Sequence, residues 1–333
     1  MSSGPASESA PAASNETASN ETASIASASR VPAHPRIAYF GTPQVAVAPL
    51  LALIDAGSDV ALVVSASDKR RGRGSSTSPS PVKAAALESG LVVTDRPDDI
   101  IGAGIDLGVV VAYGSLIRPH LLAVCPFVNI HVSDLPRWRG AAPVERAILA
   151  GDVSATVCVM ALEEGLDTGG IYAAGSTRIA DKTADELREE LVSAGTELLL
   201  GLLANGFDEP ARQLGVATYA AKIETAERQI DWTASATQIN RLVRIGGAWT
   251  TVGGRRLKVH AAVVGGNNGV PATPPGQIGG TTVSTGEGVI ELITVQPEGK
   301  GPMDAASWRR GANVAEGDLL GAPADKAVGA GNG

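Results

Sequence analysis

Aromatic side chains make up only 3% of this 333-residue chain. Its cores must therefore be built from Val, Leu, Ile and Ala rather than from stacked rings. Cysteine is almost absent: Cys125 and Cys158 lie in apolar runs, without disulfide or metal-ligand spacing. They read as small buried hydrophobes in a reducing, cytoplasmic protein. The four histidines, His34, His120, His131 and His260, do not cluster with Cys or Asp at ligand spacing, so no zinc or other metal site is expected. No run approaches the roughly 18 apolar residues of a membrane helix. Nor is there a nucleotide loop. Gly41-Thr42-Pro43 lacks the G-x-G-x-x-G spacing, Gly102 and Gly104 precede a strand candidate, and Gly72 and Gly74 sit among arginines with no helix start beside them. Positive charge is in deficit, with a formal net charge of −8. That argues against indiscriminate nucleic-acid binding but leaves room for a local basic patch.

The chain does have 44% hydrophobic and 19% charged residues, the balance of a soluble globular protein long enough for two domains. Residues 1–35 are rich in Ala, Ser, Pro and Thr, with SNETA occurring twice in succession, and offer little apolar surface against the entropy of ordering. They are expected to form a disordered extension, and they lack the basic and apolar regions of a signal peptide. From Ile37 apolar strand candidates alternate with helices. Strands are expected at Ile37–Phe40, Val60–Ser65, Leu107–Ala112, Phe127–His131 and Ser154–Ala161. Helices are expected at Val45–Ala56, Val82–Ser89, Ala141–Ala150 and Thr183–Leu203, with a long loop from Ala66 to Pro81. This alternation predicts an α/β fold with a largely parallel, Rossmann-like sheet covered on both faces. The expected divisions are a catalytic domain at 36–206, a linker with a helix from Thr233 to Ile245 at 207–249, a β-rich domain at 250–320, and a disordered tail at 321–333. In the β-rich part, strands are expected at Leu257–Val264, Gly276–Ile278 and Val289–Val295, with a mobile turn from Gly265 to Pro275.

The most informative stretch begins at Asn129-Ile130-His131. On a strand, residues two apart leave the same face, so Asn129 and His131 share one side. A polar pair at the C-terminal end of a strand, followed by a loop with Pro136, Arg137 and Gly140, stands where open α/β sheets bind ligands. A carboxylate, Asp167, follows in GLDTGG at 165–170. Amide, imidazole and carboxylate together can polarise a carbonyl, stabilise an oxyanion and relay a proton. Each alone has a plainer reading: a polar strand end for the pair, a turn aspartate for Asp167.

Residues 129–152, NIHVSDLPRWRGAAPVERAILAGD, resemble the signature of the folate-dependent formyltransferases: Asn-x-His, a Ser-Leu-Leu-Pro-like loop and a downstream Asp. FGTP at 40–43, RRGRG and SPSPVK between 70 and 83, and AERQIDW at 226–232 extend the resemblance from Arg36 to Leu320. It implies a formyltransferase α/β domain followed by an OB-like β-barrel domain. It also implies 10-formyltetrahydrofolate as formyl donor, with no metal or nucleotide. Asn129, His131 and Asp167 would be catalytic, and Ser133, Asp134, Leu135 and Pro136 would form part of the folate pocket. Asp134 stands where the family usually has Leu, and Glu145 where Gln is common. Arg137 and Arg139 are candidates to position an anion.

The acceptor is read from the long loop. Lys69, Arg70, Arg71 and Arg73 place four positive charges beside glycine hinges in an acidic chain, which suits the phosphates of an RNA end. In family members acting on charged initiator tRNA, a loop like this contacts the acceptor arm, and Arg73 aligns with its important arginine. Ser75 and Ser76 replace the usual lysines. Arg255, Arg256, Lys258, Arg309 and Arg310 are nearly balanced by acids and add less. The implied reaction carries the formyl group to the free amine of methionyl-initiator tRNA, with the enzyme acting as a monomer. Two other readings stand beside it: a sugar-amine N-formyltransferase using the same donor, and a non-catalytic RNA-binding relative.

Overall fold

The computed structural model describes residues 31–70, 77–266, 273–312 and 314–321. The expected extension falls mostly, and the expected tail almost entirely, outside these residues, as does most of the expected mobile turn. In the N-terminal domain the strands are β1 (Ile37–Gly41), β2 (Val60–Val64), β3 (Val93–Thr94), β4 (Leu107–Val111), β5 (Phe127–His131), β6 (Ser154–Ala161) and β7 (Ile171–Arg178). They form one sheet in the order β7-β6-β5-β4-β1-β2-β3. Strands β3, β2, β1, β4 and β5 run parallel. Strands β6 and β7 add an antiparallel edge. Successive strands run outward from β1 to β3 and then from β4 onward, so strand order reverses between β1 and β4. That is the point where a doubly wound sheet opens a crevice at its carboxyl ends.

Strand β5 is the seam. It pairs parallel with β4, Val110 opposite Asn129, and antiparallel with β6, His131 opposite Cys158. On one face Val128 and Ile130 join the main core with Val157, Val159 and Leu191. Helix α4 (Ala184–Asn205) covers that face together with α1 (Val47–Asp55). Gly195 lets α4 lie against the sheet: a Cβ there would come within 2.6 Å of Ile130 and 2.7 Å of Val157. A reciprocal capping box between Thr183 and Glu186 starts α4, a device worth about 1 kcal/mol. On the other face Phe127 packs with Phe40, Val110, Leu121 and Cys125. Helices α2 (Pro81–Glu88) and α3 (Pro143–Ala150) carry proline in their first turns.

A linker leads to α5 (Ala236–Arg244) and the second domain. Its strands are β8 (Trp249–Val252), β9 (Arg255–Val264), β10 (Ile278–Gly279), β11 (Thr282–Ser284), β12 (Val289–Pro297) and β13 (Met303–Asp304), followed by α6 (Ala305–Gly311). They form a curled antiparallel sheet in the order β8-β9-β12-β11-β10, with β13 beside β12. Leu257 and Val259 on β9 and Ile290 and Leu292 on β12 point inward at alternate positions, and where the register of the two strands shifts Val295 joins them, around Trp232 and Trp308. The two domains are pinned together by Arg244, which donates to the carbonyls of Ala180 and Lys182, and by the Arg146–Glu227 ion pair at 2.7 Å. Among the described residues, no helix is long and apolar enough to cross a membrane.

Candidate active site

Strand β5 delivers Asn129 half-buried and His131 8% exposed. Asn129 makes no side-chain hydrogen bond among the described residues. His131 Nε2 is buried without a partner. Facing it at 3.7 Å is Oδ2 of Asp167, beyond direct hydrogen-bonding range. The same carboxylate oxygen accepts a 2.7 Å hydrogen bond from the Gly140 N–H. Asp167 has φ +51°, and two other left-handed residues, Trp138 at +62° and Ala112 at +46°, border the same strand ends. Strained backbone of this kind persists where surrounding contacts enforce it, and it clusters at functional sites.

Burial holds the His131 imidazole below its ordinary range, opposed by the Asp167 carboxylate and a hydrogen bond with the Trp138 backbone. The ring is therefore neutral at neutral pH and free to take a proton. Burial pushes the Cys158 thiol up to about 12 and that of Cys125 to about 11. Both remain thiols near neutrality, unsuited to nucleophilic attack.

The loop after β5 is tied on several sides. Ser133 is buried with its Oγ unpartnered, and Leu135 and Pro136 are buried, Leu135 packing with Cys158 and Met160. Asp134 is exposed and accepts a 3.4 Å hydrogen bond from Thr156. Asp152 accepts from Arg137 at 2.7 Å and from Trp138 Nε1 at 2.9 Å, so the charge of Arg137 is already answered. Arg139 is engaged by Gln213. Glu145 pairs with Arg188 of α4 at 2.7 Å. A cavity of about 140 Å³ lies between this loop, α3 and β6. Its walls include Asp134, Arg137, Asp152 and Thr156 but none of Asn129, His131 and Asp167. Asn129 and His131 lie at the carboxyl end of β5, and nearby Thr42 Oγ1 donates to the Tyr113 carbonyl across the β1–β4 switch point.

Of the expected acceptor loop, Lys69 and Arg70 form a two-residue ladder with Thr77 and Ser78. Arg71 and Arg73 lie outside the described residues. Asp68 in the same loop is paired with Lys83 at 2.7 Å. In the second domain, Arg256, Lys258 and His260 alternate outward along β9, and Arg256 lies over the Trp249 ring at 4.1 Å. Two further residues contact Asp167 and its loop without any spacing signal in the sequence. The Gly140 backbone donor orients Asp167, and Gln213 reaches the Asp167 loop from 46 residues away.

Residues 35–203 match the family described as Formyl transferase, and residues 222–313 match its C-terminal domain. The chain belongs to the formyl transferase family. Within it, the methionyl-tRNA formyltransferase of Jannaschia sp. (strain CCS1) is 41% identical over 305 residues, 86% of this chain and 99% of the relative. Two solved structures share the fold at 16% identity. HypX from Aquifex aeolicus, in complex with tetrahydrofolic acid, has a TM-score of 0.60 over 86% of this chain and 49% of its own. An N-formyltransferase from Helicobacter canadensis, in complex with folinic acid and dTDP-3-aminofucose, has a TM-score of 0.59 over 78% of this chain and 99% of its own.

Proposed function

We propose that this formyltransferase moves the formyl group of 10-formyltetrahydrofolate onto the free amine of methionyl-initiator tRNA, giving formylmethionyl-tRNA for translation initiation in the cytoplasm. The observation that carries the chemistry is the unpartnered His131 Nε2 set 3.7 Å from Asp167, beside Asn129 on the same strand face. The 41% identity to a methionyl-tRNA formyltransferase over nearly its full length supports the acceptor.

The acceptor amine attacks the formyl carbon, and the carbonyl oxygen gains negative charge. The Asn129 amide N–H donates to that oxygen, an interaction whose removal typically costs about 2.7–4 kcal/mol of transition-state stabilisation. Neutral His131 takes a proton from the ammonium adduct. The imidazolium then faces the Asp167 carboxylate, which stabilises it, and it becomes a donor to the oxyanion. Because the two side chains do not hydrogen-bond directly, a water or substrate atom beside the pair can carry the proton onward to the leaving folate nitrogen. The C–N bond to folate breaks as that nitrogen is protonated, and no covalent enzyme intermediate is required. In this reading Ser133, Leu135 and Pro136 wall the folate with the exposed Asp134 side chain turned away from it, and Lys69, Arg70, Arg71 and Arg73 meet the tRNA phosphates.

The test is to incubate the purified protein with 10-formyltetrahydrofolate and either charged initiator tRNA or a dTDP-amino sugar. Formylmethionyl-tRNA with no formylated sugar is expected. Formylated sugar alone would transfer the reading to the sugar-amine class, and folate-formyl turnover with neither acceptor would leave the acceptor assignment without support. Replacing Arg70, Arg71 and Arg73 with Ala should weaken tRNA binding and flatten its salt dependence. The log–log slope should fall by about 0.7–0.9 for each phosphate no longer neutralised.

A further inference from the structure

Gln213 sits in the linker, in a stretch without helix or strand. Its side chain nevertheless uses both ends. Nε2 donates to the carbonyls of Asp167 and Gly169, each at 2.8 Å. Oε1 accepts from Arg139 Nη2 at 2.6 Å and from Nε at 3.2 Å. This polarity cannot be reversed, because a guanidinium only donates and a carbonyl only accepts. Arg139 is also the neighbour of Gly140, whose N–H holds the Asp167 carboxylate. One amide thus joins the loop that carries Asp167 to the segment that orients its side chain. The loop needs such restraint, because a left-handed backbone is unfavourable for a residue with a Cβ.

We infer that Gln213 is a positioning residue for formyl transfer: it clamps the 167–169 carbonyls to Arg139, and so sets the separation between Asp167 and His131 from the linker that leads to the second domain. This rests on the reading of Asn129, His131 and Asp167 given above.

The experiment compares the full chain with Gln213→Leu, Asp167→Asn and the double variant, measuring kcat, the KM for 10-formyltetrahydrofolate and Tm. Gln213→Leu should lower kcat by about 10- to 100-fold, the scale on which small misplacements act, and leave the donor KM unchanged. In the Asp167→Asn background the same change should do little, since the group it positions no longer serves. Gln213→Glu supplies an independent measure. Its carboxylate keeps the Arg139 pair but, when ionised, turns lone pairs toward two carbonyls. Its kcat relative to the natural protein should therefore fall as pH rises. An equal kcat loss in both backgrounds, or a Gln213→Glu ratio flat with pH, would mean that Gln213 merely supports the fold and would overturn the inference. Should Gln213→Leu not fold, the Gln213→Glu profile decides. Impaired Asp167→Asn beside normal Gln213→Leu would sink only the Gln213 inference. A fully active Asp167→Asn would remove the reading of the site and this inference with it.

Discussion

In the C-terminal domain, Leu257, Val259, Ile290, Leu292 and Val295 close around two tryptophans, and the buried indole nitrogen of Trp232 finds Thr250 Oγ1 at 3.0 Å. In the N-terminal domain the same residue types build a larger core, but at the end of β5 and just beyond, it leaves His131 Nε2 and Ser133 Oγ buried without partners, beside the half-buried Asn129. The four left-handed residues other than glycine among those described, Ala112, Trp138, Asp167 and Ala180, all belong to this domain. Three of them border the site. An unpaired buried polar atom typically costs about 1–3 kcal/mol, roughly as much as a strained residue. Among the described residues the C-terminal domain leaves one such atom, Gln277 Oε1, and has no left-handed residue other than glycine, while the N-terminal domain gathers His131 Nε2, Ser133 Oγ and three left-handed residues around the end of one strand, with Ser78 Oγ and Ala180 apart from it. In the proposed reading, the difference separates residues that hold the molecule together from residues that act.

The sharpest way to break that contrast is at His131. His131→Ala should lower kcat by about 10²–10⁴-fold, and Asn129→Ala by about 10²–10³-fold, with little loss of stability in either. Near-normal steady-state rates in both would place the chemistry elsewhere. The opposite behaviour is expected of Leu257→Ala, which should cost about 2–5 kcal/mol in denaturant unfolding while kcat per folded molecule holds. A selective loss of kcat there would blur the division between the domains.

A smaller effect follows from the lowered His131 pKa. Between its folded value and the ordinary 6.5, the unfolded chain binds the proton more readily than the folded one. Stability is therefore full above this window and falls as pH drops through it, by roughly 1.4 kcal/mol per unit of separation. Replacing His131 with Leu should flatten this acid limb when unfolding free energy is measured against pH, and an unchanged limb would assign it to other groups. The smallest change is expected at Asp134. Its carboxylate is exposed and makes one long hydrogen bond, so Asp134→Leu should leave the donor KM unaltered. A tighter KM would show that the carboxylate faces the folate.

Local pattern carried much of this molecule. The spans Phe127–His131 and Ser154–Ala161 are strands with the same limits that apolar runs and alternation predicted, and the two-residue spacing of Asn129 and His131 put both on one face. Helix starts moved to local start signals. The helix expected from Ala141 begins at Pro143, a proline in its first turn, and the one expected from Thr233 begins at Ala236 after its Ser235 cap. Strand β7 is not legible in the sequence because Ile171–Arg178 is rich in small and polar residues and is half-exposed, an edge whose place depends on pairing with β6. Gln213 is illegible for a related reason. Its partners are 44 to 74 residues away, and a single amide in an irregular segment leaves no period to detect.

The short ladder in which Tyr219 and Ala220 run beside Arg139 and Gly140 has a consequence for the order of events during synthesis. A chain that has reached residue 206 already contains every strand of the large sheet, and with them Asn129, His131 and Asp167. It does not yet contain Thr218, which supplies the partners of Trp138 and Arg139, or Ala220, which receives the N–H groups of Ala141 and Ala142. Every strand of the scaffold is thus present on a nascent chain before the site can be assembled. Activity should appear only when the linker has left the ribosome, so a fragment stopped at 206 should remain silent.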